Sequence, residues 1–235
     1  MQLFYAPDLI PGQSFYDFPQ DEAKHLARVL RKKEGDRIFL TNGQGILAEL
    51  EITLASPKKC EGRIVSVVEK PKPQLHLHLA VAPTKMNDRY EWFLEKATEI
   101  GIQEITPIIC ERSERKTIKH ERYQKIVVSA MKQSLQCYLP KLNPAMALTD
   151  FLNPEIQGVG FIAHCEEQDK THLKHQLDTE TQITLLIGPE GDFSEKEIAK
   201  ALEKGYFPTS LGENRLRTET AALYACQTVN LHFEP

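Results

Sequence analysis

Ile183-Thr184-Leu185-Leu186-Ile187-Gly188-Pro189-Glu190-Gly191-Asp192-Phe193-Ser194 is the stretch that decides the fold of the larger part of the chain. Ile183 to Ile187 is a short apolar and β-branched run, the pattern of a strand buried on both faces. Ser194, followed three residues later by Glu197, carries the side chains of a capping box, so a helix should open there and run over Glu195 to Lys204. Between strand and helix, Gly188 and Gly191 flank a Pro-Glu turn and let backbone approach a ligand closely at a helix N-terminus. A plain connection that happens to need glycines has the same G-x-x-G pattern, so the loop by itself leaves both readings open.

Outward from this loop, strands and helices alternate from Gln74 onward. Strands are expected at Leu75 to Ala82, Ile105 to Cys110 and Gly158 to Ala163. Helices are expected at Asp88 to Ile100, stopped by Gly101, at Lys119 to Gln136 and at Thr218 to Leu231. Alternation of this kind implies a parallel sheet with helices on both faces, and ligands of such sheets bind beyond the carboxyl ends of the strands. The loops to examine are therefore those after Ala163, Ile187 and Ser210. The last one, Leu211-Gly212-Glu213-Asn214-Arg215-Leu216-Arg217-Thr218-Glu219-Thr220-Ala221, crowds two arginines and two acids against a glycine and a helix start. No Walker A loop is present. Gly43-Gln44-Gly45 and Gly158-Val159-Gly160 both lack the strand-before, helix-after setting of a dinucleotide fingerprint.

The first part of the chain reads differently. A helix is expected from Glu22 to Lys33, capped by Asp21 and ended by Gly35, with strands at Arg37 to Leu40, Gly45 to Leu54 and Gly62 to Glu69 and a hairpin turn at Asn42-Gly43. That is a small β-barrel-like domain with one basic helix. Glu69-Lys70-Pro71-Lys72-Pro73 has the composition of a linker, which divides the chain into domains over 1–70 and 74–235.

The composition, 41% hydrophobic and 26% charged over 235 residues, is that of an ordinary globular protein. No stretch is apolar for long enough to cross a bilayer, and Met1 to Ile10 lacks the basic lead of a cleaved signal, so a cytoplasmic protein with no membrane partner is expected. Five scattered cysteines without a CxxC pair suggest reduced thiols, mostly buried, and neither a disulfide framework nor a zinc site. A net charge of -4 argues against binding nucleic acid through bulk charge, which leaves local patches. Two exist: Lys24, Arg28, Arg31, Lys32 and Lys33, and Arg112, Arg115, Lys116, Lys119, Arg122 and Lys125. Either also reads as a solvated helix face.

The pair IGPEGDFS (187–194) and LGENRLRTETAAL (211–223) resembles the knotted SPOUT class of methyltransferases, and within it the ribosomal RNA uracil-N3 family. The likeness extends to HLARVLRKKEGD (25–36), EKATEIGIQEI (95–105), Glu111-Arg112-Ser113 and Gln133-Ser134 through Pro140, nearly the whole chain. The resemblance implies an α/β fold with a C-terminal SPOUT trefoil-knot methyltransferase domain and a smaller N-terminal PUA-like β-barrel that binds RNA. It implies a homodimer, S-adenosylmethionine as methyl donor without a metal, and a uridine of 16S ribosomal RNA, within the small ribosomal subunit, as target. The donor would sit among Ala163-His164, Gly188, Pro189, Glu190 and Gly191, and Leu211-Gly212 with Leu216 to Thr218. Three positions depart from the family. Asp192 stands where a glycine usually follows GPEG, Asn214 where an arginine follows the Leu-Gly pair, and Gln136 where an arginine follows Gln-Ser; Arg215 is a neighbour of Asn214 able to substitute.

The chemistry sets further requirements. Uracil N3 is about as weakly acidic as a tyrosine hydroxyl, so at neutral pH on the order of one molecule in several hundred is the reactive anion. A guanidinium near O2 or O4 stabilises that anion, and Arg112 and Arg217 are the candidates. A carboxylate that takes the proton contributes roughly 10²- to 10⁴-fold, and Glu190 and Glu219 are the candidates, with backbone amides at a helix N-terminus as their alternative partners. Glu99 and Lys96 have the spacing of a structural ion pair. Arg28, Arg31, Lys32, Lys33, Arg115 and Lys116 are candidates for phosphate, whereas His25 either touches RNA or fills the core. Two rival readings are a noncatalytic RNA-binding or assembly factor and a methyltransferase acting on transfer RNA or on ribose. Retention of the loop glycines speaks against the first, and the match at HLARVLR against the second.

Overall fold

The computed structural model describes residues 2–166 and 169–234. They divide into two compact units, the first formed by Met1–Lys72 with Met131–Leu139 and the second by Pro73–Ala130 with Pro140–Pro235.

The first unit contains β1 (Leu3–Tyr5), β2 (Phe15–Asp17), the short helix α1 (Gln20–Lys24), β3 (Arg37–Thr41), β4 (Ile46–Ala55) and β5 (Cys60–Glu69). They form one sheet in the order β1-β3-β4-β5-β2, closed around Phe4, Tyr16, Phe18, Leu26, Ile38, Leu40, Leu50 and Ile52. The alternation along β4, with Ile46, Ala48, Leu50 and Ile52 buried, marks the inward face. Asn42 makes the hairpin connection by accepting from the Gln44 and Ile46 amides at 2.8 and 3.2 Å. The helix expected over 22–33 is shorter and less regular. Asp21 lies inside its first turn, Pro19 precedes it, and after Lys24 the chain widens into a π turn over His25–Val29. Arg31 then takes a left-handed φ of 53° and ends it before Gly35 is reached. His25 is exposed while Leu26 beside it is buried, so the histidine does not fill the core. Strands β1 and β2 span three residues each, too few for the periodicity that reveals the longer ones.

The second unit contains β6 (His76–Val81), α2 (Asn87–Ile100), β7 (Glu104–Ile109), α3 (His120–Gln133), β8 (Lys141–Leu142), β9 (Met146–Ala147), α4 (Leu148–Phe151), β10 (Val159–Ala163), β11 (Thr171–His172), β12 (Gln182–Ile187), α5 (Glu195–Glu203), β13 (Tyr206–Ser210) and α6 (Thr218–Phe233). From Met131 onward α3 and the turn after it count with the first unit, although the sequence places them in the stretch after the linker. The sheet runs β11-β13-β10-β12-β6-β7-β8 with every pair parallel, and β9 adds to β7. This is the α/β architecture the resemblance implies, a parallel sheet after a PUA-like β domain. Ile183↔Val159 and Ile187↔Ala163 pair in register, as do Ile187 and Val81, which brings the ends of β6, β10 and β12 level with one another.

Helix α2 ends at Gly101, whose φ of 111° is the left-handed cap that glycine adopts most readily. Its Tyr90 stacks on Tyr123 at 5.1 Å between ring centres, and both are fully buried. Helix α5 begins with the anticipated capping box: Ser194 Oγ accepts from the Glu197 amide and Glu197 Oε2 from the Ser194 amide. Glu197 uses its other oxygen on the Glu111 amide at 2.8 Å, so the cap also ties down the loop after β7.

Ser194→Ala is expected to cost about 1 kcal/mol through loss of that cap, read as a lower urea midpoint at unchanged slope. A second expectation concerns pH. His78 lies between sheet and Phe151 with Nε2 2.7 Å from Thr106 Oγ1, and burial lowers its pKa from 6.5 to about 4. The unfolded chain then binds a proton first, so the contribution is complete above about pH 6.5 and is lost as pH falls toward about 4, at most roughly 3 kcal/mol. Stability measured across that window should fall less steeply for His78→Gln.

Candidate functional site

The loops after β10, β12 and β13 enclose two adjoining cavities in the second unit. The first, of about 270 Å³, is lined by Ala163, Cys165, Ile187, Gly188, Pro189, Glu190, Asp192, Arg215, Leu216, Arg217, Thr218 and Ala221. The second, of about 430 Å³, shares Ala163, Cys165, Arg215, Leu216 and Ala221 and adds His164, Lys170, Thr209, Ser210, Leu211, Gly212, Glu213 and Asn214. Together they form a cleft at the carboxyl edge of the sheet, where a parallel α/β fold presents its ligand.

Its walls are made by side chains that hold backbone in place. Thr218 Oγ1, buried at the start of α6, donates to the Gly188 carbonyl at 3.0 Å and fixes α6 against the exit of β12. A Cβ on Gly188 would meet the buried Phe193 ring at 3.1 Å, so any side chain there has to displace that ring by a few tenths of an ångström. Asp192 occupies a left-handed φ of 63°, where glycine is the easy residue and Asp is among the few others that fit. Its Oδ1 accepts from the Phe193 amide at 2.8 Å and its Oδ2 from the Cys165 amide at 2.7 Å. The departure from glycine at this position is thereby accommodated sterically and used for hydrogen bonding.

Three polar side chains near the cavities, buried His164 and Glu219 and half-buried Glu190, have buried atoms without a hydrogen-bond partner. His164 is 7% exposed and neither ring nitrogen is bonded; burial and then Lys170 lower its pKa, Asp192 opposing, which favours the neutral ring. Glu190 accepts from the Lys85 amide with Oε1 at 2.9 Å, and its Oε2 is unbonded. Glu219, 6% exposed, has Oε1 3.9 Å from Arg89 Nε and an unbonded Oε2. Buried polar atoms are normally satisfied, so such a concentration marks a place where a ligand supplies the partners. Glu190 lines the first cavity, whereas Glu219 is not among its lining residues.

The two arginine candidates separate in the same way. Arg217 is exposed and lines the first cavity. Arg112 is engaged elsewhere: its Nη1 donates to the Gly191 and Phe193 carbonyls, both at 3.2 Å, bracing the loop from outside. Gly191 faces that arginine, not either cavity. Arg115 likewise spends its guanidinium on the Thr84 and Lys85 carbonyls, at 3.0 and 2.8 Å, and so sets the loop whose Lys85 amide holds Glu190. Lys116 is exposed, as are Arg28, Arg31 and Lys33 in the first unit, with Lys32 half-buried. Lys96 pairs with Glu99 at 3.0 Å and with Glu95, as their spacing suggests. Cys165, Lys170 and Ala221 line the cleft without a sequence signal, because nothing in residue type distinguishes them before the loops converge.

Residues 70–230 match the model of an RNA methyltransferase domain, and residues 18–65 that of an RNA methyltransferase PUA domain. The chain belongs to the ribosomal RNA small subunit methyltransferase E family. The relative from Bacillus subtilis is 26% identical over 91% of this chain and 89% of its own, and that from Rickettsia conorii 29% over 97% and 94%. Among solved structures, a probable rRNA-methyltransferase from Porphyromonas gingivalis is 41% identical, with a TM-score of 0.89 and 98% of both chains covered. The small subunit methyltransferase E of Neisseria gonorrhoeae bound to S-adenosyl methionine is 28% identical, with a TM-score of 0.88 over 98% of this chain and 97% of that one. The residues of the cleft fit this donor. Gly188 contributes backbone to the cavity wall, His164 offers unused ring nitrogens, and apolar Leu216, Ile187 and Ala221 offer surface for an adenine.

Gly188→Val is expected to abolish S-adenosylmethionine binding measured calorimetrically, with the second unit still folded by far-ultraviolet dichroism. An affinity equal to the unsubstituted protein would place the donor elsewhere.

Proposed function

We propose that this methyltransferase transfers the methyl of S-adenosylmethionine to N3 of a uridine in 16S ribosomal RNA, acting on the small ribosomal subunit as a homodimer in the cytoplasm. What carries the reading is the first cavity, where Glu190 with its unbonded oxygen and the free guanidinium of Arg217 share one wall system with Gly188 and Thr218. When bound, the donor supplies an activated sulfonium methyl, so the protein has to align a nucleophile and favour its anionic form.

Arg217 is the group for the anion. Its guanidinium, placed against the O2 or O4 edge, lowers the N3 pKa, and each unit is worth about 1.4 kcal/mol. Glu190 is the group for the proton. The Lys85 amide fixes one of its oxygens, leaving the other free to accept from N3. Glu219 faces Arg89 and does not line the cavity, which suits a role in orienting the start of α6. Arg112 holds the Gly191–Phe193 backbone and acts through it.

The N-terminal segment 1–70 is the RNA-binding part in this reading. Arg28, Arg31, Lys32 and Lys33 contact phosphate, His25 adds an exposed ring, and Lys116 contributes from the second basic segment, where the Arg115 guanidinium is held by the Thr84 and Lys85 carbonyls and acts on that loop instead. Such contacts position RNA without reading its sequence, and the target base is reached unpaired or flipped out of its stack.

The test is transfer of labelled methyl to small ribosomal subunits lacking the modification, followed by nucleoside mass spectrometry. N3-methyluridine is the expected product; label on ribose or on another base would overturn the assignment of the target. In the same assay Arg217→Ala should abolish turnover with the fold retained. Glu190→Gln should lower kcat by roughly 10²- to 10⁴-fold and Glu219→Gln by much less. The reverse order would exchange their roles.

A further inference from the structure

We infer that Asp192 is a positioning residue that latches the two walls of the methyl-donor cleft, so that donor affinity in this chain depends on a carboxylate at a position of glycine-like backbone conformation. The inference rests on the reading of that cleft as the S-adenosylmethionine site. One wall is the turn after β12, closed by the Asp192 amide donating to the Pro189 carbonyl at 2.9 Å. The other is the segment leaving β10, where Cys165 lines both cavities. Between them runs the bond from the Cys165 amide to Asp192 Oδ2 at 2.7 Å, linking residues 27 apart in sequence.

The geometry makes this a strong latch. A carboxylate accepts with both oxygens, here one amide from each side, and bonds to a charged acceptor are roughly twice as strong as neutral ones. The left-handed φ of 63° aims the side chain across the cleft from a turn where a residue with negative φ would leave along another path. Without the carboxylate, the Cys165 amide loses its partner and the 163–165 segment loses its tie to the 188–193 loop. An open, mobile wall must then be ordered when the donor binds, which lowers affinity.

Glycine is the clean replacement, because it keeps the backbone conformation and removes only the carboxylate. Asparagine tolerates the same φ but turns a donor toward one of the two amides, so it retains one bond of the two. The experiment is calorimetric titration of the full-length protein, Asp192→Gly and Asp192→Asn with S-adenosylmethionine, together with hydrogen exchange at the Cys165 amide. The dissociation constant should rise about tenfold in the glycine variant and by an intermediate factor in the asparagine variant, Cys165 exchange should accelerate, and in turnover the loss should fall more on KM than on kcat. Equal affinities for unsubstituted protein and Asp192→Gly would overturn the latch, as would a lowered thermal midpoint with no change in affinity. Absence of binding by the unsubstituted protein is a different result, which would overturn the reading of the cleft itself.

Discussion

The hydrogen bond from the Thr218 hydroxyl to the Gly188 carbonyl is the contact on which the site depends. It joins the exit of β12 to the first turn of α6, two segments that approach only because β12 lies between β10 and β6 and α6 packs back on that sheet. A buried carbonyl at the end of a strand needs a donor. The threonine supplies it from outside the loop. Arg217, the residue immediately before that threonine, is thereby delivered to the wall of the cleft beside Gly188.

The same economy of bonding governs the neighbouring loops. Glu197 caps α5, and its second oxygen holds Glu111, next to the arginine that braces Gly191 and Phe193. Arg115 sets Thr84 and Lys85, and Lys85 sets Glu190. The GPEG loop is therefore fixed from the β6 side through Lys85, from the β7 side through Arg112 and from the β10 side through Asp192. Rigid support of this kind is what a reaction in the cleft requires, since misplacement by about 1 Å can cost on the order of a hundredfold in rate.

Much of this was legible in the sequence. The strands β10 and β12 announce themselves by short, mostly apolar runs, β6 by the alternation of His76, Leu77, His78 and Leu79 that leads into Ala80 and Val81, and α5 by a capping box of fixed spacing. The same loop points to Gly188 as a lining residue, but also to Gly191, which faces Arg112 instead. What periodicity could not reach is the first unit's β1 and β2, too short to repeat, and the π turn at His25–Val29, where one widened turn ends a pattern that continues in the residues. The segment 131–139 gives no composition shift, yet the Thr41 hydroxyl donates to its Cys137 carbonyl and the Leu139 amide to the Gly43 carbonyl, long-range contacts that no local rule foretells. Among the site candidates, Arg112 and Arg217 are indistinguishable as residue types. Only the fold reveals that one guanidinium is spent on carbonyls and the other is not.

The unbonded buried atoms of His164, Glu190 and Glu219 bear on the energetics of the cleft. A buried polar atom without a partner costs about 1–3 kcal/mol, so these residues make the loops less stable than a fully bonded set would be. Apolar replacements of similar shape would relieve the strain, but they would also remove the hydrogen-bonding capacity that a ligand meets on entering. The cost is tolerable because the braces around the loop are charged and buried on one side, with Asp192 and Glu197 each satisfying two amides. Binding then adds the missing partners to a frame already in place, and a ligand that favours the folded state stabilises it in proportion to its differential affinity. Glu190 belongs to both groups, with one oxygen tying the loop to the Lys85 amide and the other left for a ligand, so at this residue support and chemistry are coupled, whereas Asp192 and Glu197 serve support alone.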